Sequence, residues 1–327
     1  MVALDEGRGE LMNLGKKSLE EFKALTQQLL MHMSPGDLAA VLFPPAMGVD
    51  VLQGVLSEQP IEDDGFNPEF PDAALMSAVL DMAHWLAKNY FKTSIQNAEV
   101  LKTDTPVLLV GNHSGGLMPL DALFAFDEIR SRVSPDVITH PLAHDFAYIA
   151  PRIRNSATRL GILRAKPQNA LDALEAGHNV LVYPGGDEDA FRTFAERNQV
   201  VLAGRKGFIR LALQAKVPIV PLVSVGLQES FIVLTKGRQI GQKLGLKKWF
   251  RTEIFPLAFS LPWGLTTAFA PFLPLPTAID MRFLAPIHLS GAPDDDHGVD
   301  CAYKHVESVM QTAMDELTAH RVPFFGR

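Results

Sequence analysis

From Thr105 onward, short β-branched and aliphatic runs alternate with stretches of helical period, and this alternation narrows the possible folds more than any other feature of the chain. The strand candidates are 107–110, 137–139, 161–163, 179–183, 218–225 and 278–283. Helical patterns lie between most of them, at 120–132, 169–176 and 206–215. Strand, helix, strand repetition predicts an α/β fold with a mostly parallel central sheet and helices on both faces. Ligands of such sheets gather at the carboxyl ends of the strands.

The preceding residues carry no strand signal. Leu19, Phe22, Leu25, Leu29 and Leu30 fall at helical spacing, as do Ala78, Met82, Trp85 and Leu86, with a Pro/Gly/Asp-rich loop at 60–71 between them. The expected organisation is an N-terminal helical region over 1–95, a catalytic domain over 96–292, and a C-terminal helix at about 301–320 packed on the core within 293–327. A chain of 327 residues, 47% apolar and 20% charged, can bury such a core and an extension. The apolar segment 254–276 is long enough to cross a bilayer. Pro256, Pro262, Pro271, Pro274 and Pro276 each remove a helix donor, however, so it reads as a surface-seeking or substrate-lining segment.

Thirty basic against 37 acidic residues give a net charge of −7, which excludes the strongly basic face that a nucleic-acid partner demands. Cys301 is the only cysteine, so an internal disulfide and a multi-thiolate metal cluster are excluded and a reducing cytoplasm fits. Residues 1–22 show no apolar stretch after a basic start and do not read as a secretory signal.

Two glycine turns at strand ends carry the chemistry. In VLLVGNHSGGLMPLDALFAF an apolar strand runs into Asn112, His113, Ser114, Gly115 and Gly116, and then into a helix whose first turn holds Asp121. The glycines let the backbone approach a ligand, and their amides near a helix start suit an anion. Asp121 is placed to accept one ring proton of His113, which would leave the imidazole a base for a hydroxyl. A histidine merely satisfied by main-chain bonds in a turn is about as common as a catalytic one. The second turn changes that balance: strand 179–183 enters Pro184, Gly185 and Gly186, followed by Asp187, Glu188, Asp189 and Arg192. His140, His144 and Asp145 make no recognisable zinc pattern, and no metal is expected.

The blocks GNHSGG with Asp121, VLVYPGGDEDAFR and GRKGFIRLALQAKVPIVPLVSVGLQES resemble, in order and spacing, the glycerolipid acyltransferase superfamily. They look closest to its diacylglycerol acyltransferase-like branch, which has Pro-Gly-Gly where lysophosphatidate acyltransferases carry Phe-Pro-Glu-Gly. The likeness covers 105–289, including 261–277 and the strand IDMRFLAPI. It implies that His113 is the catalytic base. The family spacing is His-x4-Asp, and the matching position here is Met118, so either the loop holds three extra residues before Asp121 or the orienting carboxylate comes from elsewhere. Gly185 stands where many relatives have an acceptor-binding glutamate. Asp187, Glu188 and Asp189 are candidates for that charge, and Arg192 for a phosphate or carbonyl contact. Pro218 matches a block that builds the sheet beneath the site.

The implied reaction is direct acyl transfer from acyl-CoA or acyl carrier protein to a lipid hydroxyl, with no cofactor and with the Gly115-Gly116 amides as oxyanion donors. Lysophospholipid, diacylglycerol, long-chain alcohol and sugar lipid all remain open as acceptors. Arg159, Arg164 and Lys166, with Arg205, Lys206 and Arg210, are candidates for a phosphate pocket, against the even alternative of solvated surface charges. Lys243, Lys247, Lys248, Trp249, Phe250 and Arg251 lead into the apolar segment, so 243–276 suggests a peripheral membrane contact. The competing readings are an α/β-hydrolase esterase and an inactive lipid-binding protein. The first lacks its G-x-S-x-G elbow: Ser114 lies in Asn-His-Ser-Gly-Gly, and Leu222 stands two residues before Ser224.

Overall fold

The computed structural model describes residues 65–116, 120–144, 148, 151–246, 253–260, 264–267 and 273–326. In chain order its elements are α1 (Ala73–Trp85), β1 (Ser94–Gln96), β2 (Leu108–Gly111), α2 (Leu120–Arg132), β3 (Thr139–Ala143), α3 (Pro151–Arg159), β4 (Leu163–Arg164), α4 (Pro167–Glu175) and β5 (Asn179–Val182). They continue with α5 (Gly186–Ala190), α6 (Gly207–Ala215), β6 (Ile219–Val225), β7 (Ile232–Thr235), α7 (Arg238–Lys243), β8 (Leu257–Ser260), β9 (Gly264–Thr267), β10 (Asp280–Phe283) and α8 (Asp296–Thr318).

Seven strands form one sheet in the order β1-β10-β6-β2-β5-β3-β4. Its neighbours are parallel except for β10 against β6. The central strand β2 is buried throughout, as a parallel strand covered on both faces must be. Leu108 and Val110 join Leu171, Ile209, Val306 and Met310 of α4, α6 and α8 on one face. Val107 and Leu109 join Leu80, Phe124 and Ile129 of α1 and α2 on the other. The expected α/β architecture is therefore the observed one.

Helix α8 shows how the pattern produces the packing. Val299, Tyr303, Val306, Met310, Ala313, Met314 and Leu317 recur at helical spacing and are all buried, while the Asp295 side chain caps the start by accepting from the His297 amide. Each large apolar side chain so buried contributes roughly 1.5–3 kcal/mol, and a charge at Met310 would lose that contribution and add the cost of an unpaired buried ion.

Four features differ from the expectation. The strand expected at 161–163 is the two-residue β4, Leu163–Arg164, because Gly161 sits in a turn with φ of +70°. Strand β3 starts where the expected 137–139 strand ends, because its ladder with β5 begins at Thr139 opposite Asn179 and carries on through His140 and Pro141. Pairing with a neighbour overrides their poor strand propensity. The segment 254–276 contains two strands, β8 and β9, which form with β7 a small antiparallel sheet. The strands are four residues each and separated by prolines, too short for an alternating pattern to stand out. Finally, β1 lies across the expected 95/96 boundary and pairs with β10, and α1 packs on the same core as the sheet. The expected helix around 19–30 lies outside the described residues. Among the described residues, no helix is long and apolar enough to cross a membrane.

Candidate active site

The carboxyl end of β2 opens into the turn 112–116. Asn112 ties the turn down: its Nδ2 donates to the Ser224 carbonyl at 2.9 Å and its Oδ1 accepts from the Ser224 amide at 2.8 Å. Asn112 thus shapes the turn from a buried position. Gly115 and Gly116 follow with φ of +84° and +73°, the left-handed backbone that reverses the chain toward α2.

His113 Nδ1–H donates to Asp121 Oδ2 at 2.9 Å. A carboxylate only accepts, so this bond places the ring proton on Nδ1 and leaves Nε2 with its lone pair. Asp121 sits in the first turn of α2, 1% exposed, and also accepts from the Ser114 amide at 3.0 Å and the Ala122 amide at 2.9 Å. The eight-residue spacing thus does not keep Asp121 from meeting His113. Burial disfavours the charged imidazole, but the Asp121 charge and hydrogen bond, with the Asp189 charge, outweigh it, and the His113 pKa lies above its ordinary value.

The second turn packs directly behind the first. At Gly185 a Cβ would stand 1.9 Å from the Val201 carbonyl oxygen, so only glycine lets the chain turn here into α5. The three carboxylates then diverge. Asp187 pairs with Arg205 at 2.8 Å, and Glu188 with Arg238 at 2.7 Å and Lys236 at 3.5 Å. Asp189 is fully buried, accepts from the His113 amide and pairs with Arg192. Burial pushes the Asp189 carboxyl up to about 6, against the opposing influence of Arg192 and the His113 amide.

Several expected contacts are redirected. Arg192 is fully buried, so instead of meeting a phosphate or carbonyl of substrate it links Asp189 to Ser114 Oγ at 2.9 Å. Asp189 likewise faces the protein interior and not an acceptor. Ser114 Oγ, 1% exposed, accepts from Arg192 and from Asn112 Nδ2 at 3.3 Å, which makes it a link in the floor and not a nucleophile. The Gly115 amide donates to Gln228 Oε1 at 3.2 Å and so is not offered to an oxyanion. Pro184 meets Arg205 through its carbonyl at 3.2 Å, and a Cβ at Gly186 would clash with the Arg205 guanidinium. The phosphate-pocket residues have acidic or aromatic partners: Arg159 pairs with Asp72 at 2.6 Å, Lys206 with Asp300, and Arg164 lies 5.9 Å over the Tyr148 ring. Lys166 is also engaged. His140 Nδ1–H donates to the Gly161 carbonyl at 2.7 Å and its Nε2 accepts from His178 Nδ1 at 2.9 Å, a structural arrangement whose burial holds the His140 pKa down to about 4. Asp145 and 247–251 lie outside the described residues.

Two residues of the site were not singled out from sequence. Tyr183 stacks on His113, with ring centroids 4.8 Å apart and planes at 29°. Gln228, after β6, bridges the Gly115 amide to the Arg192 carbonyl, to which its Nε2 donates at 2.6 Å. The only prior signal for Tyr183 was its place between the strand and Pro184.

A family model described as diacylglycerol acyltransferase matches residues 76–318. An uncharacterized protein of Mycobacterium tuberculosis is 28% identical over 298 residues, 90% of this chain and 79% of that one. Diacylglycerol O-acyltransferase 1 of Saccharomyces cerevisiae is 27% identical over 200 residues, 58% of this chain and 47% of the yeast protein. The crystal structure of the 1-acyl-sn-glycerophosphate (LPA) acyltransferase PlsC from Thermotoga maritima is similar with a TM-score of 0.48 and 16% identity, covering 86% of this chain and 93% of that one.

Proposed function

This chain belongs to the diacylglycerol acyltransferase family, and on that premise we propose that it moves a fatty acyl group from acyl-CoA or acyl carrier protein to a hydroxyl of a glycerolipid or related lipid alcohol. His113 Nε2 takes the hydroxyl proton, the oxygen attacks the thioester carbonyl, the carbon–sulfur bond breaks, and the imidazolium returns the proton to the leaving thiolate. Positioned proton transfer of this kind contributes about 10²–10⁴-fold. The observation that carries the reading is the 2.9 Å contact of His113 Nδ1 with a buried Asp121, which leaves the ring's other nitrogen with its lone pair available for a proton. No covalent intermediate or cofactor enters. The protein would work in the cytoplasm at a membrane surface; the exposed Ile240, Leu244 and Leu265 in and beside the 243–276 region support the membrane contact.

Incubation of the protein with acyl-CoA, or with acyl carrier protein thioester, and a total lipid extract should yield a new acylated lipid and free thiol. His113→Ala should abolish both, and a fluorophosphonate should leave the wild type unlabelled. Failure to acylate any hydroxyl lipid from either donor, or undiminished transfer by His113→Ala, would sink the proposal.

A further inference from the structure

We infer that Tyr183 is a positioning residue for the His113–Asp121 pair, a ring wedged between β2 and the imidazole, an inference that rests on His113 serving as the general base. One hydrogen bond from Nδ1 fixes a single edge of the His113 ring. The ring remains free to swing about that contact unless something lies against its face. Tyr183 does: the two rings stack at 4.8 Å and 29°.

What holds Tyr183 is the neighbouring strand. The parallel ladder pairs Val110 with Val182, so Gly111 and Tyr183 are the next pair along. A Cβ on Gly111 would lie 2.5 Å from Tyr183 Cε1, well inside contact distance. The tyrosine ring therefore rests on bare backbone, and any larger residue at 111 would drive it toward His113 or away from it. The Tyr183 hydroxyl oxygen is buried beside the Asp121 carboxylate. On its two faces the ring is held by the bare Gly111 backbone and by the His113 imidazole. Burial, reinforced by the charge and hydrogen bond of Asp121 and by the Asp189 charge, pushes the phenol pKa well above its ordinary value, so the wedge stays neutral throughout the working range.

The test compares Tyr183→Leu, Tyr183→Phe, Gly111→Ala and the double variant Gly111→Ala/Tyr183→Leu, in kcat and KM and in the NMR resonance of the His113 Nδ1 proton. Small misplacements of a reacting group cost up to about 10²-fold, so Tyr183→Leu and Gly111→Ala should each lose roughly 10- to 100-fold in kcat with KM within about twofold. Phe should restore the rate that Leu loses. The double variant should be no worse than Tyr183→Leu alone, because the added methyl then has no ring to displace. The Nδ1 proton resonance should persist in wild type and Tyr183→Phe and broaden or vanish in Tyr183→Leu and Gly111→Ala. That readout needs no turnover, so a protein without acyl transfer would defeat the proposed function while leaving the wedge to be judged. The wedge is overturned if Phe is as impaired as Leu, if the double variant multiplies the two losses, or if the resonance is unchanged in Tyr183→Leu.

Discussion

Helix α2 carries two aspartates, and each meets a histidine through the same pair of atoms: Asp121 with His113 at 2.9 Å, Asp127 with His84 at 2.8 Å. Judged by distance, the pairs are equivalent. Their surroundings are not. The His84 side chain is 58% exposed against 18% for His113. Asp127 divides its charge between His84 and Arg130, and Arg130 also pairs with Asp81 at 2.8 Å. Among the described residues no arginine or lysine pairs with Asp121; its carboxylate also meets the Ser114 and Ala122 amides and the Tyr183 hydroxyl, which fix it without neutralising it. His113 is also held by its own amide to Asp189 and by the face of Tyr183, whereas His84 projects from α1 onto a helix surface. The two contacts thus differ in burial, in how far the carboxylate charge is shared with an arginine, and in how firmly the ring is held, and only the His113 pair lies at a strand end, where the proposed function places its base.

The largest contrast should come from deleting the two rings. His113→Ala should lower thioester-dependent acylation by up to about 10⁴-fold, the full range of a general base, while His84→Ala stays within about twofold. Equal losses would erase the distinction. Next, Asp121→Asn should cost on the order of 10²-fold, because an amide can donate to Nδ1 and so favour the tautomer whose Nε2 is protonated. Asp127→Asn should again leave the rate within about twofold on the same reasoning.

The pH profile sharpens the same contrast. The His113 pKa is raised above its ordinary 6.5, so the acid limb of kcat/KM should lie above pH 6.5 and fall tenfold per unit below it. As pH drops further through about 6, Asp189 takes up a proton and Arg192 loses its buried counter-charge, which should steepen the decline. Stability should run the other way. A raised histidine pKa stabilises the fold fully below 6.5, and that contribution is lost as pH rises through the folded value. The stability difference between wild type and His113→Ala should therefore shrink from pH 6 to pH 8 in denaturant titrations. An acid limb below 6.5, or a difference that grows with pH, would show that Asp121 does not favour the charged ring.

The sheet was legible from sequence because β2, β5 and β6 are apolar on both faces and lie between helices of clear period; helix α2 has the expected bounds 120–132. The small sheet was not, since its strands are short and separated by prolines, and their burial depends on Phe191 and Phe231 from elsewhere in the chain. At the site, residue type and turn position pointed to His113 and Asp121. Sequence offered Asp189 and Arg192 as substrate contacts because charged residues in a glycine loop are normally exposed; here each is the other's partner, and both are sealed under the turn. Tyr183 and Gln228 escaped notice because their roles depend on a partner about 70 or 110 residues away, Tyr183 facing His113 and Gln228 the Gly115 amide.

The smallest effect is the most discriminating for the comparison. Asp127→Asn removes a charge shared by two partly exposed partners, and Arg130 keeps Asp81. Asp127 itself is only 8% exposed, but its partners reach solvent and Arg130 keeps a second carboxylate, so the loss in unfolding free energy should be about 1 kcal/mol and shrink in high salt. Asp121→Asn keeps the same shape but leaves one of the Ser114 and Ala122 amides without a good acceptor in a buried turn, at about 1–3 kcal/mol. That loss should be insensitive to salt, because the groups involved are shielded from solvent ions. Denaturant midpoints at low and high salt measure both. If Asp127→Asn costs as much as Asp121→Asn, or if both respond equally to salt, exposure is not what separates the two pairs, and the difference must lie in the strand-end position of His113 alone.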